Sequence, residues 1–446
     1  MAAAPMEWMM LEPFVFRRDG DSSFPDDRTA PFRAEGISSH GGPFTVAFRV
    51  VAPPAISRLY LQWPGGPKEG SSCDIVAAHR NLLLFRLTSN PVKGKDEESL
   101  IWPQECFMCQ GSPQQHTLQL HRIPMFTQRS LHPRSVGILC HPEGKFIMAQ
   151  LRLSESRLPA KMEAELCLLR SNEWELLRNL QIKYEAHELS DLIHWRTDRV
   201  IPFENNLCWV NLHRLRDMNC SLCTTDSGGK LMFVNVAPED HEIVGPMLPG
   251  TDSVVTCHTL RTQDMVWEEM FVVTSHEIWG SNASLSYNAL MFPLVSVAKS
   301  NELYFLLPEK GERAIDKVSV IGVDTITKHT EIHQYIKGEE DLGGEDDDMV
   351  RRKSHLLHPF VPSEFPKFFW PHQDGSFYVP AKLQPLQHSD NVRSVRDDVP
   401  VDYEVPAVPL SISRFVGLGL SEVLTVIAKP MAWGNCQVIW VLNILS

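Results

Sequence analysis

Between Phe44 and about Ile336 the chain is a succession of short apolar-rich runs separated by turn residues, and this rhythm limits what it can fold into. Phe44, Val46, Phe48 and Val50 alternate with Thr45, Ala47 and Arg49. Period-two alternation over a few residues marks a strand with one buried face. Comparable runs include Ile56 to Trp63, Asn81 to Thr88, Lys145 to Leu153, Glu163 to Arg170, Asn206 to His213, Lys230 to Val236 and Glu302 to Leu307. Pro64-Gly65-Gly66-Pro67, Pro142-Glu143-Gly144 and Asp226-Ser227-Gly228-Gly229 supply turn chemistry between them. Helical periodicity is confined to Ala186 to Trp195 and to Asp347 to His358, the latter behind an acidic first turn. Roughly twenty such runs exceed what one sandwich holds. The expected fold is all-β, a propeller-like array of short antiparallel strands with few short helices, which closes radially and leaves no long open edge. Trp63, Trp102, Trp174, Trp195, Trp209, Trp267 and Trp279 are spaced to act as wedges between blades.

The same pattern sets the expected domain limits. Residues 1–42 are read as an N-terminal extension, partly flexible, because 17–42 are rich in Asp, Ser, Gly, Pro and Arg. Residues 43–369 form the β domain, and 370–446 a linker and weakly structured C-terminal tail. Pro430 to Ser446 has no formal charge and approaches the length of a membrane span. Pro430, Gly434, Asn435, Gln437 and Asn443 weaken that reading in favour of a peripheral helix or a poorly folded extension.

Charge and cysteine usage restrict partners and compartment. A net charge of -13 opposes nonspecific nucleic-acid binding unless a local basic patch intervenes. The densest basic run, Arg351-Arg352-Lys353, closely follows an acidic one and reads as a solvated helix start. Glu7 and Glu12 interrupt the apolar start and no basic region precedes it, so no signal peptide is expected. Ten cysteines are ordinary usage and fit a reducing compartment. The expected location is intracellular, and the sequons at Asn219 and Asn282 are then chance matches.

Three groups of residues invite a chemical reading. Val76-Ala77-Ala78-His79 and Asp226-Ser227-Gly228-Gly229 resemble the histidine and nucleophile segments of the chymotrypsin family, so His79 and Ser227 are the candidates for a serine hydrolase. No Asp falls between residues 97 and 190 to orient the histidine, Thr225 stands where a Gly is usual, and Asp-Ser-Gly-Gly is also an ordinary hairpin turn. Cys106, Cys109, His116 and His121 have the ligand types of a zinc site, but a two-residue gap on a strand puts the two cysteines on opposite faces. Cys220 and Cys223 lie too far on to complete a ribbon. The acidic residues from Glu339 to Asp348 lack the spacing of a calcium loop. No catalytic residue, metal ligand or cofactor is therefore expected.

Several ordered blocks carry a family resemblance. They are Glu12 to Asp19, Pro53 to Leu59, Ala77 to Leu87, Ser135 to Leu139, Glu173 to Leu176, His194 to His213, Leu290 to Ser296, Tyr335 to Leu342 and His358 to Lys367. Together they resemble the grass-plant family of the domain of unknown function number 1618, with a family core at about 194–340. The resemblance implies no activity or cofactor. Its general look is similar to the propeller-like domains associated with plant F-box proteins, although Met1 to Phe44 lacks an F-box pattern. After Trp209 the chain departs from the family, with Asn211 to Asp217 replacing an acidic residue, an aromatic pair and a Gly, and nothing resembles it beyond about residue 370.

The expected role is a non-enzymatic module that binds an unknown protein partner, because propellers present loops at their rims. Trp195, Arg199 and Trp209 are its candidate binding residues, two aromatic anchors and a guanidinium. The competing reading makes both tryptophans core wedges.

Overall fold

The computed structural model describes residues 6–67, 72–88, 92–93, 100–101, 103–112, 117–126, 131–140, 145–155, 162–184, 186, 189–212, 219–226, 228–239, 252–263, 266–280, 289–309, 317–336, 360–368, 425–430 and 437–442. Its strands follow one another as short, mostly antiparallel meanders. The first blade holds β1 (Met9–Arg17), β2 (Phe32–Ser38), β3 (Gly42–Arg49) and β4 (Ile56–Gln62), in the order β1-β4-β3-β2. The second holds β5 (Ser72–His79) and β6 (Leu82–Thr88), then, after the short pair β7 (Val92–Lys93) and β8 (Leu100–Ile101), β9 (Gln104–Ser112) and β10 (Thr117–Arg122). The third is β11 (Val136–Cys140), β12 (Phe146–Glu155), β13 (Met162–Arg170) and β14 (Glu173–Lys183). A one-turn helix, α1 (Leu189–Ile193), leads to β15 (Arg199–Phe203) and β16 (Asn206–Asn211) of the fourth. The fifth is β17 (Cys220–Thr225), β18 (Lys230–Pro238), β19 (Ser253–Arg261) and β20 (Val266–Thr274), followed by α2 (Ser275–Trp279). The sixth is β21 (Met291–Val295), β22 (Glu302–Glu309), β23 (Lys317–Asp324) and β24 (Thr330–Ile336). After it come β25 (Val361–Ser363), β26 (Thr425–Pro430) and β27 (Gln437–Leu442).

Apolar residues on both faces of these sheets explain how they stack. Phe44, Phe48 and Leu59 of the first blade meet Leu83, Phe85 and Phe107 of the second. The opposite face of the second, with Leu82, Leu84 and Met108, meets Ile138, Met148 and Leu169 of the third. Ala149, Leu166 and Leu168 then pack on Leu207 and Trp209 of the fourth. Phe203 and Val210 pack on Leu222 and Phe233 of the fifth. One cluster finally joins Val234 and Val255 of the fifth with Leu306 and Val320 of the sixth and with Phe16, Ala47 and Tyr60 of the first. The stack thus returns to its start. The fold is all-β and propeller-like, with the first strands β5, β11, β15, β17 and β21 lying in succession side by side. Tryptophans sit between the blades as expected: Trp63, Trp174, Trp209, Trp267 and Trp279 each belong to or pack on a different core cluster. Trp102 lies outside the described residues.

Closure is made by the two ends of the ring. β1 runs parallel to β4 on one side and antiparallel to β25 on the other, with Met9 opposite Ser363 and Leu11 opposite Val361. Glu12, fully buried, accepts the Tyr335 hydroxyl of β24 on Oε2 and the Phe14 amide on Oε1 at 3.3 Å. Sequence reading places residues 1–42 in a peripheral extension, whereas the structure places β1 and β2 in the first blade. β1 is buried on both faces, so it shows no alternation, and Glu12 and Pro13 disguise it.

The far C-terminal segment also differs from its reading as a weakly structured tail. β26 and β27 are strands that pair antiparallel, β27 aligns on β16 with Ile439 opposite Trp209, and β26 runs parallel to β14 at Ile182 and Val426. The segments Thr425-Val-Ile and Val438-Ile-Trp-Val are strand formers, and β16 offers them an edge. Residues 369–424, and the helix expected at Asp347 to His358, lie outside the described residues. No helix among the described residues is long and apolar enough to cross a membrane.

Two features of this frame carry measurable consequences. A Cβ on Gly137 of β11 would stand 2.5 Å from Val200 Cγ1 and 3.1 Å from Leu207 Cδ2. Gly137→Val should therefore cost about 1–3 kcal/mol by overpacking. An unchanged guanidinium midpoint would show that the third and fourth blades do not meet this closely. The second feature is Glu105 of β9, which accepts the Ser38 hydroxyl, the Ser39 amide at 3.2 Å and the Ser39 hydroxyl at 2.8 Å, and pairs with Arg122 at 2.5 Å. Burial opposes its ionisation, but the Ser38 and Ser39 hydrogen bonds and Arg122 outweigh that and hold its carboxyl below the ordinary value. A carboxylate with a depressed folded pKa adds stability above its unfolded pKa and loses it as pH falls through the folded value. The denaturation midpoint should fall with acid below about pH 4.5, and less steeply in Glu105→Gln. Parallel slopes for the two proteins would remove Glu105 from the acid response.

Candidate functional site

The hydrolase candidates do not converge. His79 ends β5 in the second blade, and the Asp226 to Gly229 turn joins β17 and β18 in the fifth, so the third and fourth blades stand between them around the ring. Burial and, to a lesser extent, Arg80 push the His79 imidazole down to about 3. Its Nδ1 accepts the Cys140 amide at 2.8 Å, which leaves the proton on Nε2. A triad base requires the reverse, a protonated Nδ1 held by a carboxylate and a free Nε2. Ser227 itself lies outside the described residues. The turn around it is an ordinary hairpin, with Asp226 and Gly228 at φ 50 and 84 and Lys230 bound to Asp226 at 2.8 Å. Thr225, where a protease has glycine, donates its hydroxyl to the Ser296 carbonyl at 2.6 Å and ties the fifth blade to the sixth.

The zinc candidates are separated by the strand that carries them. Cys106 of β9 packs toward the third blade and Cys109 toward the first. Burial pushes the Cys106 thiol up to about 11 and raises Cys109 further, so both keep the proton a metal would have to displace. His121 is exposed on β10, and His116 lies outside the described residues.

The three candidate binding residues have different fates. Trp209 is fully buried between the third and fourth blades, and its indole donates to the Ser135 carbonyl at 2.8 Å. No partner can reach this ring, so its place in the binding set is corrected to that of a wedge. Arg199 is half-buried and donates to Ser221 Oγ at 3.0 Å, bridging β15 to β17. Trp195 is also half-buried, donates to Thr197 Oγ1 at 3.0 Å and rests on the third cluster of the core. Beside it Ile193, 46% exposed, and His194 face solvent.

Around Trp195 the fold assembles charges that are scattered in sequence. Pro133–Ser135 forms a 3-10 turn into β11. It is fixed at one end by the His132 amide donating to Gln150 Oε1 at 2.7 Å, and at the other by the Trp209 indole. This turn exposes His132 and Arg134. Arg152 comes from β12, Arg196 from the segment between α1 and β15, and both are exposed. Partial desolvation of the His132 ring, then the positive fields of Arg134, Arg86, Arg152 and Arg196, lower its pKa. Arg86 is paired with Asp74 at 2.9 Å. Among the described residues, Arg134, Arg152 and Arg196 form no ion pair. Nearby, Asp198 accepts the Leu212 amide at 2.6 Å, and Glu165 of β13, opposite Arg152 across the strand pair, meets Arg178 at 3.2 Å. Arg152, Ser154, Glu165, Arg178 and Asn179 also line a depression of about 200 Å³. It forms at a bulge in β14, where the pairing with β13 shifts between Ala164 and Leu166 and Asn179 adopts φ 56. Sequence reading missed this cluster because none of its arginines neighbours another in the chain.

No family model and no curated protein matches the chain. Solved structures show weak likeness. A glycoside hydrolase of the GH43_12 group from a capybara gut metagenome is 10% identical, with a TM-score of 0.21, over 59% of this chain and 41% of that one. A Synechocystis apocarotenoid oxygenase is 11% identical, with a TM-score of 0.20, over 68% of this chain and 57% of that one. The Nup133 β-propeller domain of Vanderwaltozyma polyspora is 8% identical, with a TM-score of 0.21, over 70% of this chain and 87% of that one. The chain thus spans less than two thirds of the first two. At these scores none of the three bears on what this chain does.

Proposed function

We propose that this protein is a non-enzymatic, intracellular protein-interaction module whose docking surface is the side of the ring that carries Trp195, Arg134, Arg152 and Arg196. The observation that carries the reading is three exposed guanidiniums without ion partners, among the described residues, on adjoining elements: Arg134 on the turn that packs against β12 and β15, Arg152 on β12, and Arg196 next to the half-buried Trp195 on the way to β15. Like charges held together cost Coulomb energy, and an anionic partner removes that cost. Tryptophan and arginine are the side chains that most often anchor protein interfaces. Arg199 serves this surface indirectly, by holding β15 against β17.

Membership of the grass-plant family of the domain of unknown function number 1618 is part of the same proposal. Its support is the order of the blocks, several of which coincide with β4, β5, β6, β11, β15, β16 and β21. The test is quantitative affinity capture from plant tissue with the wild type, with a combined Arg134→Glu, Arg152→Glu and Arg196→Glu variant, and with Ser227→Ala. The variant should lose the proteins that the wild type and Ser227→Ala retain. Identical captures by all three would refute the docking surface.

A further inference from the structure

We propose that the cationic side of the ring binds an extended Asp- and Glu-rich segment of a partner protein, with carboxylates on Arg134, Arg152 and Arg196 and an apolar side chain against Trp195 and Ile193. The inference rests on the interaction-module reading and adds the chemistry of the ligand.

The geometry favours this ligand in three ways. The cations come from three separate segments: the turn before β11, strand β12 and the approach to β15. Arg134 and Arg152 lie on the third blade, where Val136 pairs with Gln150, and Arg196 on the segment that enters the fourth, so the charge is spread over two adjoining blades rather than gathered at one point, which suits successive side chains of one extended chain. Guanidinium forks engage carboxylates bidentately, and each such bond is stronger than one between neutral groups. The turn that carries Arg134 is held at both ends, by Gln150 at 2.7 Å and Trp209 at 2.8 Å, so this cation is positioned before a ligand arrives. Arg152 also lines the depression shared with Ser154, Glu165, Arg178 and Asn179, in which the Glu165 carboxylate is already held by Arg178 at 3.2 Å.

Charge balance decides between an acidic peptide and a nucleic acid. The whole chain carries -13. A duplex places a charge about every 1.7 Å, so it would extend past three guanidiniums into the field of a net-acidic protein over lengths beyond a Debye length of about 8–10 Å. A short acidic segment ends where the patch ends. Ile193 and the Trp195 ring add apolar area that a phosphate backbone does not use.

The test is fluorescence anisotropy with full-length protein and three labelled probes: a ten-residue glutamate peptide with a central leucine, a ten-residue lysine peptide with the same leucine, and a single-stranded DNA ten-mer. We expect the glutamate peptide to bind and the lysine peptide not to. Each of Arg134→Gln, Arg152→Gln and Arg196→Gln should weaken the glutamate peptide about tenfold, in keeping with one charge-assisted bond lost. Trp195→Ala should weaken the leucine-containing peptide more than an all-glutamate one. The arginines are exposed, so an unchanged denaturation midpoint shows that each variant is folded. Equal affinity of wild type and all three arginine variants overturns the proposal, and so does tighter binding of the DNA than of the peptide. If the peptide fails while charge reversal still abolishes capture from tissue, the acidic ligand is refuted and the docking surface stands. If both fail, the docking surface falls as well.

Discussion

Trp209→Ala should unfold this protein at a much lower guanidinium concentration than the wild type. The side chain is wholly buried among Ala149, Leu166, Leu168 and Leu207, and removing a ring of this size from a core costs about 3–5 kcal/mol. Its loss also leaves the Ser135 carbonyl without the indole donor, which adds about 1–3 kcal/mol if the carbonyl stays dry. Domains are usually stable by only about 5–15 kcal/mol, so most of the margin is at stake. A second effect separates this ring from an ordinary core residue. Trp209 holds the turn that presents Arg134, so Trp209→Phe, which keeps most of the packing and removes the donor, should weaken acidic-peptide binding more than its loss of stability explains. A midpoint within about 0.5 kcal/mol of wild type for Trp209→Ala would refute the wedge.

Phe365→Ala should have a comparable effect for a different reason. Phe365 is fully buried against Phe48 at 5.5 Å, in the cluster between the first and second blades. It opens the 3-10 turn one residue beyond β25, the strand that meets β1. The expected cost is about 3–5 kcal/mol, and it falls on the closure, so Met9 to Arg17 should lose hydrogen-exchange protection before the third blade does. Ile326→Ala is the control: Ile326 is 75% exposed and should change stability by less than about 0.5 kcal/mol. If protection falls evenly over all blades, β25 is not a local fastener.

The sequence made some of this legible and concealed the rest for identifiable reasons. Where polar residues of a strand stay only partly buried, as with Thr45 and Arg49 of β3 or Glu163 and Glu165 of β13, the period of two survives and could be read directly. Strands sandwiched between blades lose it: β1 and β6 are buried almost throughout and look like any apolar run. The wedge tryptophans were visible as a spacing. Which of them stays accessible was not, because burial of Trp209 against half-burial of Trp195 depends on α1 and on the turn before β11. The cationic cluster was invisible in one dimension. Arg134, Arg152 and Arg196 are some twenty and forty residues apart; the β11–β12 pairing brings the first two together, and the stacking of the fourth blade on the third adds Arg196. A usable signal did exist: two of the three stand immediately before a first strand, β11 or β15, where a propeller turns its loops to one side.

The pairing of Met9 to Leu11 with Val361 to Ser363 has a consequence for how the protein is made. A ribosome delivers the first half of that pair more than three hundred codons before the second. At about 5–20 residues per second the emerging N-terminal strand waits for tens of seconds with Leu11 and Val15 lacking their final cover. Nascent chains arrested short of codon 361 should therefore remain sensitive to protease and attractive to chaperones, however well their middle blades have formed.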